Sequence, residues 1–452
     1  MKIKVSNGLH DLDRIYMHYY RRFEPIMQKY LSVTTETIVN NLGKSCISIY
    51  MIGSFGRMEG ALYIENDSVQ PIRDFDILII TTKPVSSHII RTTTEEIHER
   101  LGLSSPTKAI LEEFSIWITY VPIYELLRGT PLLKYYELKV ASKHLCGIDI
   151  RSIINLNLKD LSLYNGILIL FTKVYSLLSL YPFYSRTYKR TLNYIYEVLK
   201  TYTEIPTIFS LLDNSIYRPS FSGRCIAFLE SRSARLPKLL FRIVPNLDSY
   251  ILFACKRRKL LDRTLIDDFD LNSSSTHVLE TLDKIISLYI ICGYGIITPL
   301  SGFSRSNSKI LNKVGIVTLA GFFSDYLKKV VMVRCDPLAK FLSFILLSFY
   351  IPLSNVKFFI KARKEKIPVK LRLIFSIKNH FVYLTYIGIN LLKALVRGYT
   401  GVNPKLLKEY LSCSYIKDLE KNKNSFVKMS IILKLVVRLL RLADISLHEK
   451  TF

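Results

Sequence analysis

The stretch MIGSFGRMEGALYIENDSVQPIRDFDILII, residues 51–80, contains the two elements that decide the fold. The first is the end of an apolar run over residues 47–52, whose β-branched and aromatic side chains favour a short strand. The second is the run over residues 75–80, which apart from Asp76 is apolar on both faces and predicts a buried strand. Residues 61–72 are too many for a tight turn, so they predict a hairpin inserted between these strands.

Two carboxylates lie at the start of the second predicted strand, at Asp74 and Asp76. Alternate residues of a strand share a face, so both side chains point the same way. Carboxylates placed together repel each other unless a cation lies between them, and Mg²⁺ prefers oxygen ligands of this kind. The pair therefore predicts a divalent metal site.

Gly53 and Ser54 follow the first predicted strand. Glycine permits a close approach of the backbone, and serine adds a hydroxyl and an N–H group. A short helix that begins near Phe55 would direct its free N–H groups towards an anion. A phosphate site beside a metal site describes the binding of a nucleoside triphosphate.

These residues carry a resemblance to a known superfamily. Gly53-Ser54 followed by Asp74-x-Asp76 resembles the signature of the DNA polymerase β-like nucleotidyltransferases. The fuller string GSFGRMEG…RDFDILII is similar to a subgroup of uncharacterised prokaryotic members with a G-S-x-G-R-x-E-G element, over about the first third of the chain. The resemblance implies catalytic Asp74 and Asp76 holding Mg²⁺ or Mn²⁺. It also implies four nucleotide-binding residues: Gly53, Ser54, Gly56 and Arg57.

The superfamily usually has a third carboxylate on a later strand, which residues 114–122 (FSIWITYVP) match here. Trp117, the only tryptophan of the chain, stands where that acid is expected. Glu113 and Glu137 are candidates to replace it. Glu59 has two open roles, because it either belongs to the site or accepts hydrogen bonds from backbone N–H groups of the Gly-rich turn.

Two functions therefore remain open. The first is a nucleotidyltransferase that moves a nucleoside monophosphate from a nucleoside triphosphate to an acceptor hydroxyl. The second is a nucleotide- or RNA-binding protein of the same fold with little or no catalysis. Trp117 at the position of the expected acid is the reason to retain the second.

Composition excludes several classes of protein. Of 452 residues, 49% are apolar and 22% charged, which is typical of a folded chain rather than a disordered one. The seven cysteines show no C-x-x-C spacing, which argues against a zinc or disulfide framework and indicates a reducing, cytoplasmic location. The net charge of +26 indicates an anionic partner, with RNA, another polyanion and peripheral membrane contact all open.

The whole pattern predicts an α+β fold, with a small mixed β-sheet and flanking helices in an N-terminal nucleotidyltransferase domain and a large all-helical C-terminal region. The predicted domains are residues 1–155, the helical residues 156–271 forming the other wall of the nucleotide cleft, and the basic helical residues 272–452. A polar run at 272–276 marks the second boundary.

Three further stretches carry expectations. The apolar residues 285–303 are long enough to cross a bilayer, but glycines, a proline and polar residues favour a buried helix and a turn, so no transmembrane span is expected. The acids of residues 267–270 have no Gly-Ser element before them and predict a loop or helix cap. Basic clusters, densest at residues 256–259, favour contact with a polyanion.

Overall fold

The structure, a computed structural model, describes residues 5–66, 68–104, 114–127, 132–161, 164–181, 188–231 and 235–294. Its strands are β1 Cys46–Ile52, β2 Leu62–Glu65, β3 Ser68–Pro71, β4 Asp74–Thr81, β5 Ser115–Pro122, β6 Lys143–Gly147 and β7 Leu260–Asp262. Its helices are α1 Val5–Leu42, α2 Gly53–Gly56, α3 Ser87–Leu101, α4 Ile123–Leu127, α5 Leu133–Ala141, α6 Tyr164–Leu180, α7 Tyr188–Ser210, α8 Phe221–Glu230, α9 Arg235–Ile243, α10 Leu247–Arg257, α11 Arg263–Asp268 and α12 Leu271–Tyr294.

A four-stranded mixed sheet forms the centre of the N-terminal region, in the order β5-β4-β1-β6. Strand β4 runs antiparallel to β1 and parallel to β5. Both predicted strands of the opening stretch are thus confirmed, and they are hydrogen-bonded neighbours. The described part of the chain is α+β with small mixed sheets, as expected.

The two faces of this sheet pack on different helices because side chains alternate along each strand. Phe75 and Ile77 face a core built with α1 and α3, where Phe23 and Met27 are fully buried. Leu78 and Ile80 face a second core, built with α4 and α5. Asp74 and Asp76 have the parity of this second set, and we call the side that bears them the acid face.

The hairpin predicted between the signature halves is confirmed as β2 and β3, which pair antiparallel. Strand β7 pairs with β2 in parallel and completes a second, three-stranded sheet. The prediction that residues 156–271 are wholly helical is therefore wrong at β7. A segment of three residues is too short to show a strand pattern in the sequence. Strand β7 forms because the free edge of β2 offers backbone hydrogen-bonding groups to it.

Capping groups fix the ends of two helices. Helix α3 begins at Ser87, because the Ser86 hydroxyl accepts from the Ile89 N–H, and it ends before Gly102, which is in the left-handed conformation. Asp270 accepts from the N–H of Ser273, which confirms a helix cap for the acidic run at 267–270.

The polar run at residues 272–276 is helical, so the predicted break there is wrong. It lies inside α12, where the buried Ser275 hydroxyl accepts from Tyr194 Oη at 2.9 Å. Small polar residues can face a neighbouring helix when their hydroxyls are paired. The division into three domains stays a prediction, and most of the third predicted domain lies outside the described residues.

None of the described helices is long and apolar enough to cross a membrane. The predicted buried helix over residues 285–303 is described only as far as Tyr294, where it forms the last turns of α12.

Candidate functional site

The acid pair and the Gly-Ser element meet at one edge of the acid face. Ile52, the last residue of β1, pairs with Asp76, so the chain turns beside that carboxylate. Gly53 has a φ of 69°, and a Cβ atom there would overlap Asp76 Oδ2. Only glycine fits both conditions without strain. Asp74 and Asp76 are half-buried on the same face, as predicted.

Residues 53–59 form a closed turn, which we call the Gly-Ser turn. The Glu59 N–H donates to the Ser54 carbonyl at 2.8 Å. A Cβ atom on Gly56 would overlap the carbonyl oxygen of Met51, so this glycine allows α2 to pack on β1. The sequence prediction of a short helix here is confirmed, although α2 is only one turn long.

A cationic group that the sequence interpretation missed faces the acid pair. Arg73 adopts a φ of 73°, which is uncommon for a long side chain, and donates to Glu197 on α7 at 3.0 Å. Lys200, one turn later on α7, interacts electrostatically with Asp74. Burial lowers the pKa of Lys200, but Tyr196, Glu197 and Asp74 raise it more, so this side chain stays charged. Helix α7 therefore supplies positive charge beside the carboxylates.

Glu197 is fully buried, and its negative charge compensates the neighbouring cations Arg73 and Lys200. Its second oxygen lies 3.5 Å from Lys173 Nζ on α6. Burial raises the pKa of Glu197, but Lys173, Arg73 and Lys200 lower it more, to about 2. Burial, together with the neighbouring cations Lys200 and Arg73, lowers the pKa of Lys173 to about 8, although Glu197 raises it.

This arrangement predicts a pH dependence of stability. The pKa of Glu197 is lower in the folded chain than its ordinary 4.5, so its contribution is complete above pH 4.5 and is lost as the pH falls towards 2. We expect the difference in free energy of unfolding between wild type and Glu197→Gln to shrink by about 3 kcal/mol over that interval. Urea unfolding followed by circular dichroism at several pH values measures it.

Glu95→Gln is the control for that experiment, since Glu95 is half-exposed and pairs only with Arg91 one turn away. This surface substitution should change the free energy of unfolding by no more than about 0.5 kcal/mol. A difference that stays constant with pH for Glu197→Gln would contradict the assigned low pKa.

Glu59 joins the Gly-Ser turn to the helical region. Its carboxylate accepts the backbone N–H of Phe221 at 2.7 Å and that of Ser222 at 3.1 Å, at the first turn of α8. Lys259 Nζ lies 3.8 Å away. Burial raises the pKa of Glu59, but Arg258, Lys259, the Phe221 N–H and Arg57 together lower it below its ordinary value. These N–H groups belong to α8, so the prediction that Glu59 accepts from N–H groups of the Gly-rich turn is wrong.

Arg57 contacts protein groups on the same boundary. Its guanidinium donates to Glu137 at 3.2 Å, and it lies 4.1 Å from the centre of the Phe221 ring. Arg258 lies at the same distance from that ring. The Arg57 side chain is only 5% exposed, so it is a weaker phosphate candidate than the sequence indicated.

Glu137 is engaged on both oxygens, which accept from Arg57 and, at 2.6 Å, from Arg224. Burial raises the pKa of Glu137, but the two arginines lower it more. A carboxylate held in this way is not placed to replace the expected third acid. The other candidate, Glu113, lies outside the described residues.

Trp117 takes the position that the sequence indicated. It pairs in register with Asp76 in the parallel ladder of β4 and β5, while Ser115 pairs with Asp74. Ser115 is buried, whereas Trp117 is 42% exposed. Within the described residues no group of three or more metal-ligating side chains forms, so Asp74 and Asp76 act there as a pair.

The basic cluster at residues 256–259 is partly internal. Arg258 is 2% exposed, and Lys259 pairs with Asp13 at 2.9 Å. Lys256 and Arg257 remain accessible. The expected polyanion surface is therefore reduced at this cluster.

The chain was compared with known proteins. No protein-family model matches it, and no curated protein sequence matches it either.

Proposed function

We propose that this chain is a nucleotidyltransferase, which transfers a nucleoside monophosphate from a nucleoside triphosphate to an acceptor hydroxyl. One observation carries the proposal: the backbone of Gly53 packs directly on the carboxylate of Asp76, with Asp74 on the same face. This contact brings a small-residue turn and an acid pair within the span of one triphosphate.

The donor set suits a hard divalent cation, because Asp74 and Asp76 offer half-buried carboxylate oxygens side by side. Mg²⁺ or Mn²⁺ held by this pair would stabilise negative charge on the phosphate oxygens. The Gly-Ser turn has no side chain at Gly53 to obstruct the phosphate chain. Lys200, which interacts with Asp74, adds a charged group that would neutralise negative charge on the phosphates.

In the proposed reaction the acceptor oxygen forms a bond to the α-phosphorus. The bond from that phosphorus to the α,β-bridging oxygen breaks, and pyrophosphate leaves with the electron pair. The hydroxyl proton passes to solvent. Asp74 and Asp76 would hold a cation between themselves and the reacting phosphate, and no third acid is assigned to the proton.

The proposal is tested with the full-length chain, each common nucleoside triphosphate, and Mg²⁺ or Mn²⁺. We expect release of pyrophosphate that depends on the cation and increases when an acceptor RNA is added. Isothermal titration in parallel measures binding of the nucleotide. If no nucleotide binds and no pyrophosphate is released, the proposal is wrong.

The second candidate function is a nucleotide- or RNA-binding protein that does not catalyse transfer. Trp117 favours it, because an indole stands beside Asp76 where a proton-accepting carboxylate is expected. Binding of nucleotide without release of pyrophosphate, with any acceptor supplied, would decide for this second function.

A further inference from the structure

Trp117 is an exposed aromatic side chain inside the proposed site. Its neighbours along β5, Ile116 and Ile118, are 1% and 6% exposed and belong to the core. Trp117 alternates to the acid face and keeps 42% of its surface accessible. Single exposed apolar residues are ordinary on protein surfaces. This one differs because its strand position is in register with Asp76.

The strand order places Trp117 opposite the Gly-Ser turn. In the order β5-β4-β1, Trp117 lies on one side of Asp76 and Gly53 lies on the other. Two strand spacings separate them, roughly 10 Å. A group lying over the indole is therefore on the far side of the acid pair from the phosphate-binding turn.

The chemistry of transfer says which reactant occupies that side. The attacking oxygen must approach the α-phosphorus in line with the departing pyrophosphate, from the opposite direction. If the β- and γ-phosphates lie towards Gly53, the acceptor enters on the side of Trp117. This step rests on the proposed function.

We propose that Trp117 stacks on a base of the acceptor, and that the acceptor is a single-stranded nucleic acid. The flat face of an indole binds any base, with about 1–3 kcal/mol per stacked base. A net charge of +26 favours a strand of phosphates over an uncharged sugar or a peptide hydroxyl. Trp117 is thus a positioning residue that selects for acceptors with a base.

The chain itself supplies the probe, because Trp117 is its only tryptophan and so the sole source of indole fluorescence. We expect a short single-stranded RNA oligomer to quench this fluorescence on binding. An abasic oligomer of equal length, with the same phosphate charge, should bind without quenching it. A nucleoside triphosphate with Mg²⁺ should quench the Trp117 fluorescence less than the RNA does, and it should not displace the bound RNA.

Affinity of variants for the oligomer tests the same contact. Trp117→Ala should bind the RNA roughly 10- to 100-fold more weakly, measured by anisotropy of a labelled oligomer, and Trp117→Phe should keep most of the affinity. Phe253→Ala is the matched control, since Phe253 on α10 is also 42% exposed. It should bind as wild type does.

Each adverse outcome has a definite meaning. Equal affinity of Trp117→Ala and wild type, or equal quenching by the abasic oligomer, overturns the inference. Full displacement of RNA by nucleoside triphosphate alone assigns the indole to the donor base and also overturns it. Pyrophosphate release by wild type in the same preparation would then keep the proposed function intact. Quenching by RNA with no release would instead remove the transferase proposal and leave the stacking contact.

Discussion

Asp76→Asn and Asp74→Asn are each expected to lower the rate of cation-dependent pyrophosphate release about 1000-fold, or roughly 4 kcal/mol of activation free energy. Asparagine keeps the shape that packs on Gly53, so the fold should persist. It removes one of the two negative charges that make the acid face a ligand for a divalent cation. Initial rates with nucleoside triphosphate and Mg²⁺ measure the effect, with thermal unfolding of each variant alongside.

Asp267→Asn is the matched control, because Asp267 is 68% exposed on α11 and faces only Arg263 at 4.0 Å. It should retain the wild-type rate. A variant of Asp74 or Asp76 that also retained that rate, while still folded, would exclude its residue from the reaction.

Glu59→Gln is expected to lower the free energy of unfolding by about 3–5 kcal/mol. The substitution removes a buried negative charge that faces Arg57, Arg258 and Lys259. Arg57 keeps its ion pair with Glu137, and Lys259 keeps Asp13, so the loss falls mainly on Arg258. The substitution also turns an amide NH₂ towards the N–H groups of α8, or leaves one of them without an acceptor. The midpoint of urea unfolding, followed by circular dichroism, measures the loss.

The control here is Glu65→Gln, at the exposed end of β2, which should change stability by no more than about 0.5 kcal/mol. An equal urea midpoint for Glu59→Gln and Glu65→Gln would contradict the assigned role.

Local patterns in the sequence predicted the sheet well. The strands β1 and β4 follow from their apolar composition, the inserted hairpin from the length of the segment between them, and the shared face of Asp74 and Asp76 from side-chain alternation. The position of Trp117 beside Asp76 was implied by the resemblance, through the strand that usually carries the third carboxylate. These features depend on a few consecutive residues, which carry their own periodicity.

Partners that are distant in the chain were not predictable in this way. Glu59 reaches the N–H of Phe221 across 162 residues, and neither residue type signals the other. Lys200 is one of many lysines on amphipathic helices, so only packing shows that it faces Asp74. Strand β7 was missed because three residues have no detectable period. Contacts between distant residues and very short strands are determined by tertiary packing rather than by local propensity.

Two contacts join the signature to the later helical region: β2 pairs with β7, and Glu59 accepts hydrogen bonds from the first turn of α8. They have a consequence for how this chain can be engineered. A fragment ending near residue 155 would keep every motif of the signature, yet β2 would lose its partner β7 and Glu59 would lose Arg258, Lys259 and the N–H groups of α8, keeping only Arg57 nearby. The signature and the later helices are therefore expected to fold as one unit. Recombination that exchanged either half for that of a distant homologue would have to exchange the matching cations and N–H donors as well.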